Sequence, residues 1–154
     1  RHMKARSKAP KQQARAAARL AAVQALYQHE MEATPEARLL DEFHQHRLGM
    51  ELDDAQFADA ETAFFDDVVK GALARREEID ALLARHLAEG WSLARLDRTL
   101  LQILRAGTYE LLARADVPTG SVIAEYLDVA HAFFDKRETK FVNGVLDAVA
   151  KYVR

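Results

Sequence analysis

Residues 97–113 read DRTLLQILRAGTYELLA, and this stretch decides the fold class. Its large aliphatic residues recur three and four positions apart, the spacing of one face of an α-helix; they are Leu100, Ile103, Leu104, Leu111 and Leu112. Ser92 or Asp97 can cap such a helix, because a short polar side chain accepts hydrogen bonds from the first free amides. We expect this helix to be the central buried element of an all-α protein.

The same periodicity extends over most of the chain. It predicts helices over 10–29, 34–47, 60–74 and 76–88 before the central one, and over about 119–134 and 139–153 after it. Gly90 ends the fourth helix, and residues 48–59 form the longest predicted loop. The expected fold is a compact single-domain bundle of about seven helices.

Composition excludes several classes of protein. The chain has 154 residues, of which 49% are hydrophobic and 30% charged, which excludes wholesale disorder and fibrous repeats. It has no cysteine, so a disulfide framework or a thiolate nucleophile is excluded. Since no apolar run reaches the roughly 20 residues of a membrane span, we expect a cytoplasmic protein.

Charge is unevenly distributed along the chain. Residues 1–19 carry seven Lys or Arg and no acid, and residues 20–80 carry five basic and fifteen acidic residues. We divide the chain into a flexible basic arm, 1–9, whose first two residues resemble a cloning remnant, and a helical domain, 10–154. A basic segment on an acidic body is a footprint for a polyanion.

Enzyme sites find little support. His44 and His46 lie two residues apart, which on a helix places them on different faces, without other ligands at metal-binding spacing. Adjacent acidic pairs are typical of solvated helix faces, and no phosphate-binding glycine loop or nucleophile motif occurs. We predict no catalytic site, no metal and no cofactor.

Two segments have the composition of an RNA-binding surface. Lys11, Arg15 and Arg19 recur every four residues, so they form a row along the first helix. Residues 133–144, FFDKRETKFVNG, combine cations with aromatics and an amide, as proteins that read single-stranded RNA do. The candidate RNA-binding residues there are Lys136, Arg137, Lys140 and Asn143. The alternative is ordinary core for Phe133, Phe141 and Val142, with the cations on a hydrated helix start.

Several motifs occur in a recognisable order. They are RAAARLAAVQALY at 15–27, WSLARLD at 91–97, ILR at 103–105, YEL at 109–111, DVP at 116–118 and KFVNGVLD at 140–147. Together they resemble the NusB family of bacterial transcription antitermination factors, over roughly residues 14–149.

The resemblance implies a non-catalytic RNA-binding protein that pairs with the small-subunit ribosomal protein NusE. Such a pair binds the single-stranded boxA element of nascent RNA and helps RNA polymerase read through terminators. The family's arginine-rich helix contacts RNA, and the matching residues are Arg15 and Arg19, with Lys11 extending the row. Tyr27 is the candidate partner-binding residue, and Phe133 and Phe134 are further candidates to meet a base or the partner.

The chain also departs from the family pattern. The departures are Ala16 and Ala17 in place of arginine, Leu100 and Leu101 in place of a charged pair, and Ala124, Tyr126 and His131 in the sixth helix. Two other functions stay open: an RNA-guiding domain of a ribosomal RNA cytosine methyltransferase, and a helical protein-interaction adaptor.

Two consequences of mutation are expected from the sequence. Replacing Arg15 and Arg19 by Ala weakens RNA binding and barely changes stability. Gly144 packs closely against another helix, because a helical glycine is otherwise unfavourable.

Overall fold

The computed structural model describes residues 9–46, 48 and 55–154, with the backbone alone at 55–57 and 60. The predictions for the basic arm up to residue 8, for Arg47 and for 49–54 lie outside the described residues. The described part contains seven α-helices and one short 3₁₀ helix, Leu93–Arg95. The α-helices are α1 Pro10–Glu32, α2 Glu36–His46, α3 Ala55–Ala74, α4 Arg76–Arg85, α5 Arg98–Ala113, α6 Thr119–His131 and α7 Lys136–Val153.

The all-α prediction is confirmed, with α5 at the centre of the bundle. Every residue from Leu100 to Leu111 is buried, and α5 contacts α1, α3, α4, α6 and α7. Asp97 caps this helix, since its carboxylate accepts hydrogen bonds from the amides of Thr99 and Leu100 at 2.8 and 3.1 Å. Ser92 instead precedes the 3₁₀ helix.

Several predicted boundaries are wrong by a few residues. Helix α3 begins at Ala55, within the predicted loop, and α1 continues to Glu32. Helix α6 ends at His131, three residues before the predicted end. Helix α7 begins at Lys136 because Asp135 is extended and serves as its N-cap. The cations of the 133–144 segment therefore lie on the first two turns of a helix.

Two glycines allow α5 to pack closely against its neighbours. A Cβ on Gly71 of α3 would lie 2.1 Å from Cζ of Tyr109, and one on Gly107 would lie 3.1 Å from Leu146. Among the described residues, a Cβ on Gly144 would meet no atom within 4 Å, so the expected close packing there is wrong. Gly144 lies on the exposed face of α7.

The carbonyl end of α5 is closed by a side chain from the end of α7. The guanidinium of Arg154 donates hydrogen bonds to the carbonyl oxygens of Glu110, Leu111 and Arg114 at 3.2, 2.9 and 2.9 Å. It also donates to the carbonyl of Val117 at 2.8 Å. Cationic donors are favourable at this position because the last carbonyls of a helix carry partial negative charge.

Candidate nucleic-acid interface

The cations of α1 do not share one environment. Lys11 is exposed, the side chain of Arg15 is 24% exposed, and that of Arg19 is only 4% exposed. The four-residue spacing drifts slowly around the helix, so the last member of the row turns into the protein. The sequence predicted that all three cations face RNA. This prediction is wrong for Arg19, whose side chain is buried.

Arg19 belongs to a buried ion-pair network. Its Nε and one Nη donate to the two carboxylate oxygens of Glu110 at 2.8 and 3.0 Å, and its other Nη lies 3.4 Å from Glu125. The hydroxyl of Tyr126 donates to the same Glu110 carboxylate. Burial lowers the pKa of Arg19, but the hydrogen bond and charge of Glu110 outweigh it and raise the pKa overall. Removal of Arg19 would leave Glu110 as a buried, uncompensated charge, so the structure predicts a loss of stability where the sequence predicted almost none.

The aromatic ring of Phe64 gathers three guanidinium groups. The Cζ atoms of Arg15, Arg19 and Arg114 lie 4.7, 4.8 and 4.8 Å from its centroid. Arg114 was not predicted as a site residue. Its position in the sequence, immediately after the central helix and two residues before Asp116, is the feature that could have identified it.

The start of α7 presents cations to solvent. Lys136, Arg137 and Lys140 are exposed, and the side chain of Arg137 is 93% exposed although it lies 3.7 Å from Glu138. Positive charge at a helix N-terminus is unfavourable because the helix dipole is positive there. These cations therefore do not stabilise α7. Asn143 is exposed one turn further along the same helix.

An open cavity of about 300 Å³ lies beside this cationic helix start. Two aromatic side chains, Tyr27 and Phe133, line it and are 38% and 42% exposed. The remaining lining residues are Val23, Gln24, Gln28, Glu32, Phe43 and Thr99. Phe134 and Phe141 instead pack partly against the core.

Helices α1 and α6 run side by side in the same direction. Arg15 pairs with Asp116 just before α6, Arg19 pairs with Glu125 within it, and Tyr27 lines the same cavity as Phe133, which follows α6. At 1.5 Å per residue, Arg15 and Tyr27 are about 18 Å apart along α1. We call the line of contact between these two helices the α1–α6 seam. The basic start of α1 lies at one end of the seam, and the Tyr27 cavity and the cationic start of α7 lie at the other end.

A second ion-pair network fixes the other half of α1 and was not predicted. Glu30 accepts hydrogen bonds from Arg98 at 3.0 Å, from Gln102 at 3.2 Å and from Arg105. Burial raises the pKa of Glu30, but these hydrogen bonds, that of Arg105 foremost, outweigh it and lower the pKa from 4.5 to about 2. Arg105 also forms a two-pronged contact with Asp80 of α4, at 2.9 Å each. This network holds α1, α4 and α5 together at the end away from Arg19.

Other candidate chemistry has a structural explanation. His44 Nε2 lies 2.5 Å from Asp66, where the two side chains join α2 to α3. Within the described residues, no group of three His, Asp or Glu could hold a metal ion. The described helices also include none with the length and apolarity to cross a membrane.

Comparison with known proteins decides the family. The family model described as NusB family matches residues 16–151. The chain belongs to the NusB family. The transcription antitermination protein NusB of Novosphingobium aromaticivorans is 72% identical over 141 residues, which cover 92% of this chain and 95% of that protein. That of Sphingopyxis alaskensis is 66% identical over 142 residues, 92% of this chain and 95% of that protein.

Solved structures of the family share the fold. NusB of T. maritima superimposes with a TM-score of 0.74 at 30% identity, covering 95% of this chain and 93% of that one. A crystal structure of the antitermination factors NusB and NusE in complex with dsRNA superimposes with a TM-score of 0.76 at 26% identity. It covers 91% of this chain and 98% of its counterpart. Since the relatives of 66% and 72% identity are named as antitermination proteins, the methyltransferase-domain alternative is not favoured.

Proposed function

We propose that this protein is an RNA-binding transcription antitermination factor that acts with a NusE-type ribosomal protein on boxA-like single-stranded RNA and serves the antitermination complex of RNA polymerase. Two relatives with 66% and 72% identity are antitermination proteins, and a structural neighbour is a NusB–NusE complex with dsRNA. We assign the protein no catalytic activity and place it in the cytoplasm.

The observation that carries the RNA assignment is the exposed ring of Phe133 beside the cationic start of α7. Cations hold phosphates, whereas an exposed ring can stack on an unpaired base. Lys136, Arg137 and Lys140 have no stabilising role at a helix N-terminus, which favours an external anion as their ligand. Asn143 adds an amide that can donate to and accept from a base edge.

The RNA path proposed here follows the α1–α6 seam. Lys11 and Arg15 contact phosphates at one end, and the α7 cations do so at the other. Arg19 supports this path indirectly, because it anchors α1 to α5 and α6 and packs on the ring that also carries Arg15.

Tyr27 and its cavity form the proposed contact with the protein partner. Phosphate contacts give affinity without base information, and the chain presents few exposed aromatic side chains for stacking. We therefore expect sequence-selective binding to need the partner. Labelled boxA RNA titrated with the protein alone, and then with the NusE-type partner, should show a marked gain in affinity and in discrimination against a scrambled strand. Full discrimination between boxA RNA and the scrambled strand by the isolated chain would contradict the proposed need for the partner.

The RNA-binding test removes the three α7 cations together. Each phosphate contact to a single strand contributes about 0.7 to the slope of log affinity against log salt, so the triple alanine variant should lose about 2 from that slope. A matched control removes three cations from other helices: Lys70, Arg85 and Arg95. An equal loss in both variants would show non-specific attraction, and no loss in either folded variant would show that the α7 cations do not contact the RNA. Absence of RNA binding by the folded wild-type protein would favour the adaptor alternative.

A further inference from the structure

Two of the three arginines around Phe64 remain accessible to an external ligand. Arg19 is buried and bound by Glu110, whereas the side chains of Arg15 and Arg114 are each 24% exposed. Both guanidinium carbons lie within 4.8 Å of the Phe64 centroid. The ring therefore holds two accessible cations, from α1 and from the end of α5, next to each other.

A single exposed carboxylate bridges these two cations. Asp116 lies 3.1 Å from an Nη atom of Arg114 and 3.6 Å from one of Arg15, and its own side chain is 55% exposed. The contact to Arg15 is longer than a hydrogen bond. Desolvation raises the pKa of Asp116, but the charge of Arg114 and its hydrogen bond lower it overall, so the carboxylate is ionised at neutral pH. Asp116 thus occupies the position of an anion between two guanidinium groups.

The contacts of Arg114 are incomplete in this arrangement. One Nη donates to Asp67 at 3.2 Å and the other to Asp116 at 3.1 Å. Its buried Nε has no hydrogen-bond partner among the described residues. Displacement of Asp116 frees one Nη of Arg114 next to the guanidinium of Arg15, so each arginine can donate to the same phosphate through charge-assisted hydrogen bonds.

Charge balance favours exchange of Asp116 for one phosphate. Arg15 and Arg114 carry two positive charges, and Asp67 and Asp116 neutralise them. Without Asp116 the group has a net charge of +1, which matches a backbone phosphodiester. Exposed ion pairs contribute little to stability, so the exchange has a small cost.

We propose that Arg15 and Arg114 form a phosphate-binding pair and that Asp116 competes with the RNA backbone for it. This inference rests on the proposed RNA-binding function and adds Arg114 as an RNA contact and Asp116 as an internal competitor. The competitor weakens binding of any single strand at this position. A strand held elsewhere along the α1–α6 seam can displace it because the local phosphate concentration is then high.

The test is the affinity of Asp116→Asn for labelled boxA RNA and for a homopolymeric strand. Loss of the competitor should increase affinity for both about 2- to 10-fold and steepen the salt dependence. Adding Arg114→Ala should abolish the gain. The matched control is Glu78→Gln on α4, which removes the same charge from an exposed ion pair with Arg75, the residue just before that helix, and should change affinity less than twofold.

The outcomes separate this inference from the proposed function. A folded wild-type protein that binds no RNA, with or without its partner, overturns both. If the wild type binds RNA but Asp116→Asn gains no more affinity than the Glu78→Gln control, only the competitor role of Asp116 is overturned. Weaker RNA binding by Asp116→Asn would identify Asp116 as a positioning residue and would also overturn its role as a competitor. Thermal unfolding checks that each variant is folded, and Asp116→Ser repeats the measurement if the asparagine variant is not.

Discussion

Replacing Arg19 by alanine tests the buried network most directly. The substitution leaves the fully buried Glu110 without its two-pronged partner and removes a guanidinium from the ring of Phe64. Breaking a buried ion pair by removing one member costs about 3–5 kcal/mol. For a chain of this size each kcal/mol lowers the melting temperature by about 2–4 °C, so we expect a fall of about 6–20 °C.

The assay is equilibrium urea unfolding followed by far-ultraviolet circular dichroism. The matched control is Arg15→Ala, which removes the same side chain one turn earlier, where it is partly exposed, and should cost about 0–1 kcal/mol. The double variant Arg19→Met with Glu110→Gln should recover much of the loss, since the glutamine is neutral and still accepts the hydrogen bond of Tyr126. Equal stability of the two single alanine variants, or no recovery in the double variant, would refute the argument.

Two further predictions concern acid stability and the helical glycines. Because the folded-state pKa of Glu30 is about 2 against 4.5 ordinarily, its contribution is complete above about pH 4.5 and is lost as pH falls towards 2. Between pH 5 and pH 3 the wild type should therefore lose about 1–2 kcal/mol more unfolding free energy than Glu30→Gln, the lower figure allowing for solvent screening; identical losses would exclude Glu30 as the cause. Gly71→Ala should destabilise by more than about 1 kcal/mol because its Cβ displaces Tyr109, whereas Gly144→Ala should stabilise by up to about 1 kcal/mol in the same unfolding assay. The opposite order would contradict the packing described for α5.

The helices could be predicted from the sequence because their evidence is local. The spacing from Leu100 to Leu111 and the polar residue Asp97 before it fix α5 and its start. The start of α7 could not be found in this way, because it depends on the extended backbone of Asp135 more than on apolar spacing.

The environment of each candidate site residue depends on distant parts of the chain. A four-residue spacing places Arg15 and Arg19 on neighbouring positions of α1, but burial of the second depends on Glu110, 91 residues away. The network around Glu30 likewise joins residues 68 to 75 positions apart. Periodicity identifies which residues share a face, but it does not identify the chemical group that the opposing helix brings to that face.

The Arg154 contacts have a consequence for the order of folding. The last carbonyls of α5 are closed by a side chain that lies about 40 residues later in the sequence. When α5 leaves the ribosome, the segment that completes it has not yet been synthesised, so its final turn stays open until α7 docks. Protection of the last turn of α5 against hydrogen exchange therefore depends on docking of the end of α7.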